Sequence, residues 1–196
     1  VIKAAVGLAL CGVALAPAAS AWADDARPRT QPTRDVEVVY EMTRGDQQIQ
    51  QRSRWQAATG RQRIDPPGAP GRYMIADPKS GSVAMVSDAT RQVVDIKTPA
   101  GPLDGGAASF TRLGSLTIAG LACTEWAVVP AHVADATPNQ ICLTDDGVLL
   151  GIRANDIQRA RAVRVTYGAT DPAAFAIPQD YQHVSPAPRP PTLPVP

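Results

Sequence analysis

Histidine and lysine are scarce in this chain, and long apolar runs are confined to one place. Of 196 residues, only His132 and His183 are histidine and only Lys3, Lys79 and Lys97 are lysine. Two histidines cannot furnish a zinc ligand set. Neither comes with the G-x-S-x-G elbow that would accompany a Ser–His–Asp triad. "PKSGS" at 78–82 lacks the downstream Gly-Lys of a phosphate loop, and Asp145-Asp146-Gly147 lacks the spaced oxygen ligands of a calcium loop. Glu37 and Glu41 are the nearest approach to a carboxylate pair, but they alternate with apolar residues as the polar face of a strand. No catalytic residue, no metal ligand and no cofactor is assigned, and the chain reads as non-enzymatic.

The one apolar run opens the chain. Lys3 is followed by Ala, Leu, Val and Gly up to Pro17, then by small residues, with Ala21 and Ala23 in an A-x-A arrangement. This is the pattern of a secretory leader, residues 1–23, cleaved after Ala23 to give a periplasmic protein. The run is too short and too interrupted to span a bilayer, so no stable membrane span is expected in the mature chain. Cys11 raises the alternative of a lipoprotein site, against which Leu10 is larger than that site accepts. Loss of Lys3 leaves eighteen basic residues against eighteen acidic ones, a formally neutral chain with no field to attract nucleic acid.

At the other end, six of the eleven residues in "PAPRPPTLPVP" (186–196) are proline. Such a run favours extended polyproline II, and residues 183–196 are read as a disordered tail, a spacer or docking strip for an envelope partner. Residues 24–34 are read as a flexible lead-in. The domain itself is placed at 35–182, one domain's worth of chain.

Within it, period-two alternation prevails and helical stripes are few. "DVEVVYEMT" (35–43) puts Val36, Val38, Tyr40 and Met42 on one face, and "QQIQQRSRW" (47–55) alternates likewise, with Gly45-Asp46 between them as a hairpin turn. "GRQRID", "RYMIAD", "SVAMVS" and "RQVVDIK" follow, separated by "PPGAPG", "PKSG" and "DAT", an antiparallel meander with turn chemistry in every gap. "RAVRVTYG" (161–168) is a late strand with Val163, Val165 and Tyr167 on one face. Helix is expected only briefly, over 106–114 and in "DPAAF" (171–175), where Asp171 caps and Pro172 opens the first turn. The fold class is mainly β, a single antiparallel sheet.

Cys123 and Cys142 remain after the leader, and an even pair in an exported protein reads as a disulfide, worth about 3 kcal/mol for a loop of this size. If Asp146 and Gly147 form a two-residue type I′ turn, Cys142 opposes Gly151 and Leu143 opposes Leu150. Ile141, Leu143, Leu150 and Ile152 then share an apolar face with Trp126 and Val128. Cys142, Thr144 and Glu125 occupy the other, more polar face. The expectation is a cross-strand disulfide on that polar face of a three-strand meander, with Trp126 turned to the core. The arginine pairs Arg52/Arg54, Arg61/Arg63 and Arg159/Arg161 each share a strand face, either as a basic patch for an acidic partner or as part of a solvated mixed face.

"TGRQRID", "MIADPKSGSVAMVSDATRQVVDI", "IAGLACTEW", "ICLTDDGVLLGIRA" and "DPAAFAIPQDY", in that order, resemble exported bacterial proteins of the outer-membrane lipoprotein carrier (LolA-like) superfamily, in an uncharacterised periplasmic branch. The resemblance covers roughly residues 35–182. It implies an incomplete, strongly curved antiparallel barrel wrapped around short helices, with a hydrophobic cup for acyl chains on the concave side. No ligand-contacting residue follows from it, because the carriers' lid arginine and membrane-inserting loop find no matching position here. Two functions are expected on these grounds. One is a binding protein holding a lipid, lipoprotein or other apolar ligand in the concave face. The other is an envelope interaction or regulatory protein acting through the sheet surface or the proline-rich tail.

Overall fold

Gly45 and Asp46 form the two-residue turn of the first hairpin, with Gly45 at φ +60°, joining β1 (Val36–Arg44) to β2 (Gln47–Gln56) with Arg44 opposite Gln47. The computed structural model describes residues 27–97, 108–130 and 137–185. The leader, Cys11, His132 and the proline run 186–196 lie outside the described residues. Four short strands continue the meander: β3 (Arg61–Asp65), β4 (Arg72–Asp77), β5 (Ser82–Ser87) and β6 (Gln92–Lys97). β7 (Ala108–Ile118), β8 (Leu121–Pro130), β9 (Asn139–Leu143), β10 (Leu149–Ala154) and β11 (Ile157–Tyr167) form a second one. A three-residue β12 (Gln182–Val184) adds parallel to β6. All twelve strands belong to one sheet, ordered β12-β6-β5-β4-β3-β2-β1-β11-β10-β9-β8-β7.

The two meanders meet where β1 pairs antiparallel with β11. The sheet is not closed into a barrel, since β12 and β7 are its two outer strands. It is nevertheless strongly curled. Strands β7 and β11 touch although β8, β9 and β10 separate them, a span that neighbour spacings of about 4.8 Å would make far too wide in a flat sheet. Ile118 on β7 reaches across to Gly151 on β10, where a side chain would come 3.2 Å from its Cδ1. The curl gathers Val36, Val38, Trp55, Ile118, Cys123, Cys142, Val148, Leu150 and Ala162 into the main core on the concave face.

Each half of the convex face has its own cover. Trp126, Val128, Ile141 and Leu143 form a second cluster, with Phe110 edge-on to Trp126. Residues 27–34 cross this region, with Arg27 over the Phe110 ring. They are held there, not left as a free lead-in. Tyr73, Ile75, Ala84, Val86 and Val93 form a third cluster, covered by Ile177 and Tyr181 from the C-terminal segment. That segment begins with a 3-10 turn, Pro172–Phe175, in which Asp171 caps Ala173 N as its sequence anticipates, and Phe175 is buried.

Three expectations need correction. Of the stretch 106–114, the described residues from Ala108 on are strand and not a helical turn, because β8 supplies a full ladder of partners that overrides a weak local preference. Val163 does not share the buried face with Val165 and Tyr167. A bulge pairs Val39 with Arg164 and Tyr40 with Ala162, so Val163 is left 45% exposed and Ala162 turns inward. The described residues also give the sheet little helix to wrap around, only the four residues of the 3-10 turn.

Candidate functional site

The corner that joins β9 to β10 is built around a carboxylate. Gly147 N donates to Thr144 O at 2.9 Å and Thr144 N to Val148 O at 3.0 Å, so Asp145 and Asp146 are the central pair of the turn and Gly147, at φ +88°, follows it. The two-residue Asp146-Gly147 turn is therefore replaced by a wider one. The Thr144 hydroxyl stabilises it, accepting from Val148 N and donating to Asp146 Oδ1 at 2.6 Å. The same oxygen accepts from Tyr167 at 3.2 Å, while Oδ2 takes Arg34 Nε at 3.0 Å and Nη2 at 2.8 Å. Burial pushes the Asp146 carboxyl upward, but donation from Thr144, Arg34 and Tyr167 outweighs it and holds the group below the usual carboxylate range. Thr33 N donates to the Asp146 carbonyl, and Gln31 O lies where a Gly147 side chain would stand, 2.2 Å from its Cβ position. The acidic corner is an anchor for residues 27–34.

Cys123 and Cys142 are joined by a disulfide with Cα atoms 5.5 Å apart. They are diagonal neighbours, since Glu125 faces Cys142 and Thr124 faces Leu143. The face they share is the main core, not a polar face, and both are buried. The physical reason is that β8–β10 are covered on both sides, by the curl on one and residues 27–34 on the other. Trp126 and Ile141 lie opposite each other on the convex side, away from Cys142. Leu143 pairs with Leu149 instead of Leu150, because a bulge between Leu149 and Gly151 turns Leu150 into the core beside Cys142. Tyr40 reaches this bulge and donates to Leu149 O at 2.7 Å, its phenol pushed well above the ordinary range by burial.

Towards β6 the concave face carries a different surface. Ile64, Met74, Met85 and Val94 stand directly opposite one another on four successive strands, forming a single cross-strand row. Ile64 opposes Ser53, which opposes Val38 of the main core, so the row lies on the concave side. Ala76, Val83 and Ile96 form the parallel row beside it. None of these side chains is fully buried, and Met85 is 44% exposed. The convex-side residues of the same strands, Tyr73, Ile75, Ala84, Val86 and Val93, are all buried. The usual relation is inverted here: the concave side keeps an open apolar strip.

The arginines expected as a basic patch are largely engaged. Arg52, Arg54 and Arg63 converge on Asp65, and Arg61 bonds Asp77. Burial raises the Asp65 carboxyl, but Arg54 and Arg63 overcome this and hold it low. Arg63 also stacks on Tyr73 at 3.7 Å and donates to Ala174 O, tying the C-terminal cover to the sheet. Arg161 faces Glu41 across β1, and Glu37 faces Arg54, so the convex surface is mixed in charge. His183 sits on β12 with Nδ1 2.6 Å from Asp95, both side chains about half exposed. Among the described residues, no three His, Cys, Asp or Glu side chains come together to hold a metal, and no helix is long and apolar enough to cross a membrane.

The sequence matches no family model and no curated protein. Solved structures do resemble the fold. An uncharacterized conserved protein from Thermus thermophilus aligns with a TM-score of 0.53 at 14% identity, over 79% of this chain and 91% of its own. The complex structure of Pseudomonas aeruginosa MucA/MucB gives 0.53 at 14% identity, over 80% of this chain and 60% of that one. MucB in complex with MucA(peri) gives 0.50 at 14% identity, over 79% and 58%. This chain thus spans about 60% of the length of those MucB-type chains. At such identity the likeness is one of fold, an open curved β sheet of the kind the carrier-like motifs imply.

Sequence reasoning missed the Arg34–Asp146 anchor and the Ile64–Val94 row. Alternation groups residues by face, and nothing in it says which face will be inside a curl. Asp146 carries a signal as a turn residue, but its partners Arg34 and Tyr167 are remote in sequence.

Proposed function

We propose that this protein is a non-enzymatic periplasmic binding protein that holds an apolar ligand, such as the acyl chain of a lipid or lipoprotein, against the concave face of its sheet. The row Ile64–Met74–Met85–Val94 carries this reading: it is apolar, incompletely buried and continuous with the core. Its two methionines are unbranched and polarizable, so they adapt to chains of varied shape. A leader-like start ending at Ala23 supports export, in which case residues 1–23 are absent from the working protein. Native mass spectrometry of protein purified from its own host tests it. The expected result is an added mass that disappears on organic extraction; a bare polypeptide mass in repeated preparations would sink the reading.

A second reading, an envelope interaction or regulatory protein, has one observation in its favour. Two of the structures that share the fold are complexes of MucB with a protein, MucA. The proline-rich tail is the segment proposed to meet such a partner here. Deleting 186–196 and repeating a co-purification distinguishes it, since an unchanged set of partners removes the tail from the argument.

A further inference from the structure

A cleft of about 290 Å3 opens on the concave face at its far end from the apolar row. Ala127, Gln140 and Arg153 line it as one cross-strand row on β8, β9 and β10. Gln140 shares its face with Cys142, two residues on, which places the row on the concave side. Asn155 and Asp156 close one end as a two-residue hairpin turn with φ +51° and +60°. Leu113, the residue bulged out of β7, forms the outer wall, is 49% exposed, and stands on the edge strand of the sheet.

Three side chains of this cleft lack polar partners among the described residues. Gln140 Oε1 is buried and meets no hydrogen-bond partner among the described residues. Arg153 and Asp156 take part in no ion pair among them either. The cleft therefore offers a guanidinium that donates, a carboxylate that accepts, and an amide oxygen on a soft terminal torsion that can turn to accept. Arginine and aspartate cancel, so there is no net charge for an ion to answer. What fits is a neutral group carrying an acceptor and a donor side by side, next to an apolar wall. A peptide unit has that make-up, and among the described strands β7 pairs with β8 alone, the geometry at which an extended chain can add alongside.

We propose that this cleft binds a peptide amide of an extended polypeptide segment, with Arg153 donating to its carbonyl and Gln140 and Asp156 accepting from its N–H. The volume lies at the small end of ligand clefts, so the segment contributes one or two residues. This inference is independent of the acyl-chain reading, which concerns the opposite end of the face.

The test is titration of the full mature chain with N-acetylglycine N-methylamide, and separately with acetate, followed by side-chain and backbone amide NMR. The peptide mimic should shift the Gln140 side-chain and Asn155 and Asp156 backbone signals saturably, and acetate should not. Gln140→Leu and Arg153→Gln should each weaken the mimic roughly five- to tenfold, the loss of one hydrogen bond. Gln140→Glu keeps the acceptor and should retain binding, which separates the role from mere packing. Met85→Glu, at the apolar row, should leave the mimic's affinity unchanged. Saturable binding of acetate at equal strength would make the cleft a plain anion site and overturn the proposal. So would absence of any saturable shift, or equal affinity in Gln140→Leu.

Discussion

Arg34 donates through both Nε and Nη2 to a single oxygen of Asp146, 112 positions further along the chain, and its guanidinium lies 4.0 Å from the centre of the Tyr167 ring. One exposed arginine thereby ties the N-terminal segment to the cysteine hairpin and to the last long strand. Because Arg34 itself is largely solvated, Arg34→Met should barely move the melting temperature. It should instead expose residues 27–34 to limited proteolysis. Asp146→Ala removes the Thr144 and Tyr167 bonds as well and should destabilise the fold by about 1–3 kcal/mol in urea titration.

Gly147 and Gly45 both hold positive φ, but only Gly147 is crowded. A Cβ at Gly45 meets nothing within 4 Å, whereas at Gly147 it would strike the Gln31 carbonyl. Gly45→Ala should cost about 1–2 kcal/mol, the strain of the left-handed backbone alone. Gly147→Ala should cost more and also release residues 27–34 to protease. Equal penalties, with no release, would show that the close approach to Gln31 is immaterial.

The disulfide encloses a loop between residues 19 apart in sequence and lies in the main core. Replacing Cys123 and Cys142 together by Ala should lower unfolding free energy by roughly 2–4 kcal/mol. The wild-type pair should resist thiol alkylation even in denaturant and become alkylated only after a reductant cleaves the bond.

Asp35 predicts the acid limb of the stability curve. Its carboxylate accepts from Thr170 N at 3.0 Å, Ala57 N at 2.8 Å and Thr170 Oγ1 at 3.0 Å, stapling the starts and ends of β1, β2 and β11. The Thr170 and then the Ala57 N–H groups hold its pKa below the ordinary value. A lowered native pKa means that the unfolded chain binds the proton first on acidification. The contribution is thus fully present above the unfolded pKa of about 3.9 and is lost as pH falls through the native one. Asp146 and Asp65 act in the same direction. Urea midpoints from pH 5 to pH 2.5 should fall steeply in the wild type and less steeply in Asp35→Asn.

For the apolar row, Met85→Glu places a charge at a position already 44% exposed, so folding should survive it. Uptake of a fluorescent fatty acid should fall by tenfold or more, the cost of burying an unpaired carboxylate against an acyl chain. Undiminished uptake would move the ligand elsewhere.

Much of the sheet can be read from the sequence, and the reasons for the rest are specific. The strands β1–β6 announce themselves because each gap holds Gly, Pro or Asp with turn chemistry. The parity of the cysteine meander is also legible: Glu125 faces Cys142 and Trp126 faces Ile141. What alternation cannot register is a bulge, and four of them, at Leu113, Leu150, Arg159 and Val163, break the strict alternation of faces. Nor can it foresee that β1 pairs with β11, a contact made by tertiary fit. The apolar row stays hidden for a related reason, since Met74 and Met85 look like core until the convex side proves to be the buried one.

The seam between β1 and β11 also governs the order in which the molecule is assembled. Strands β2–β5 pair only with sequential neighbours and can form as soon as they are synthesised, while β6 takes β12 on its outer side later. β1 keeps one edge vacant until β11 arrives from the far end of the domain. Non-local pairings of this kind are slow to form. The two meanders can therefore each form on their own, and the β1–β11 seam is the step that joins them. Pulse-labelled hydrogen exchange would show it as late protection of Val36–Arg44, after β4 and β5 are already protected.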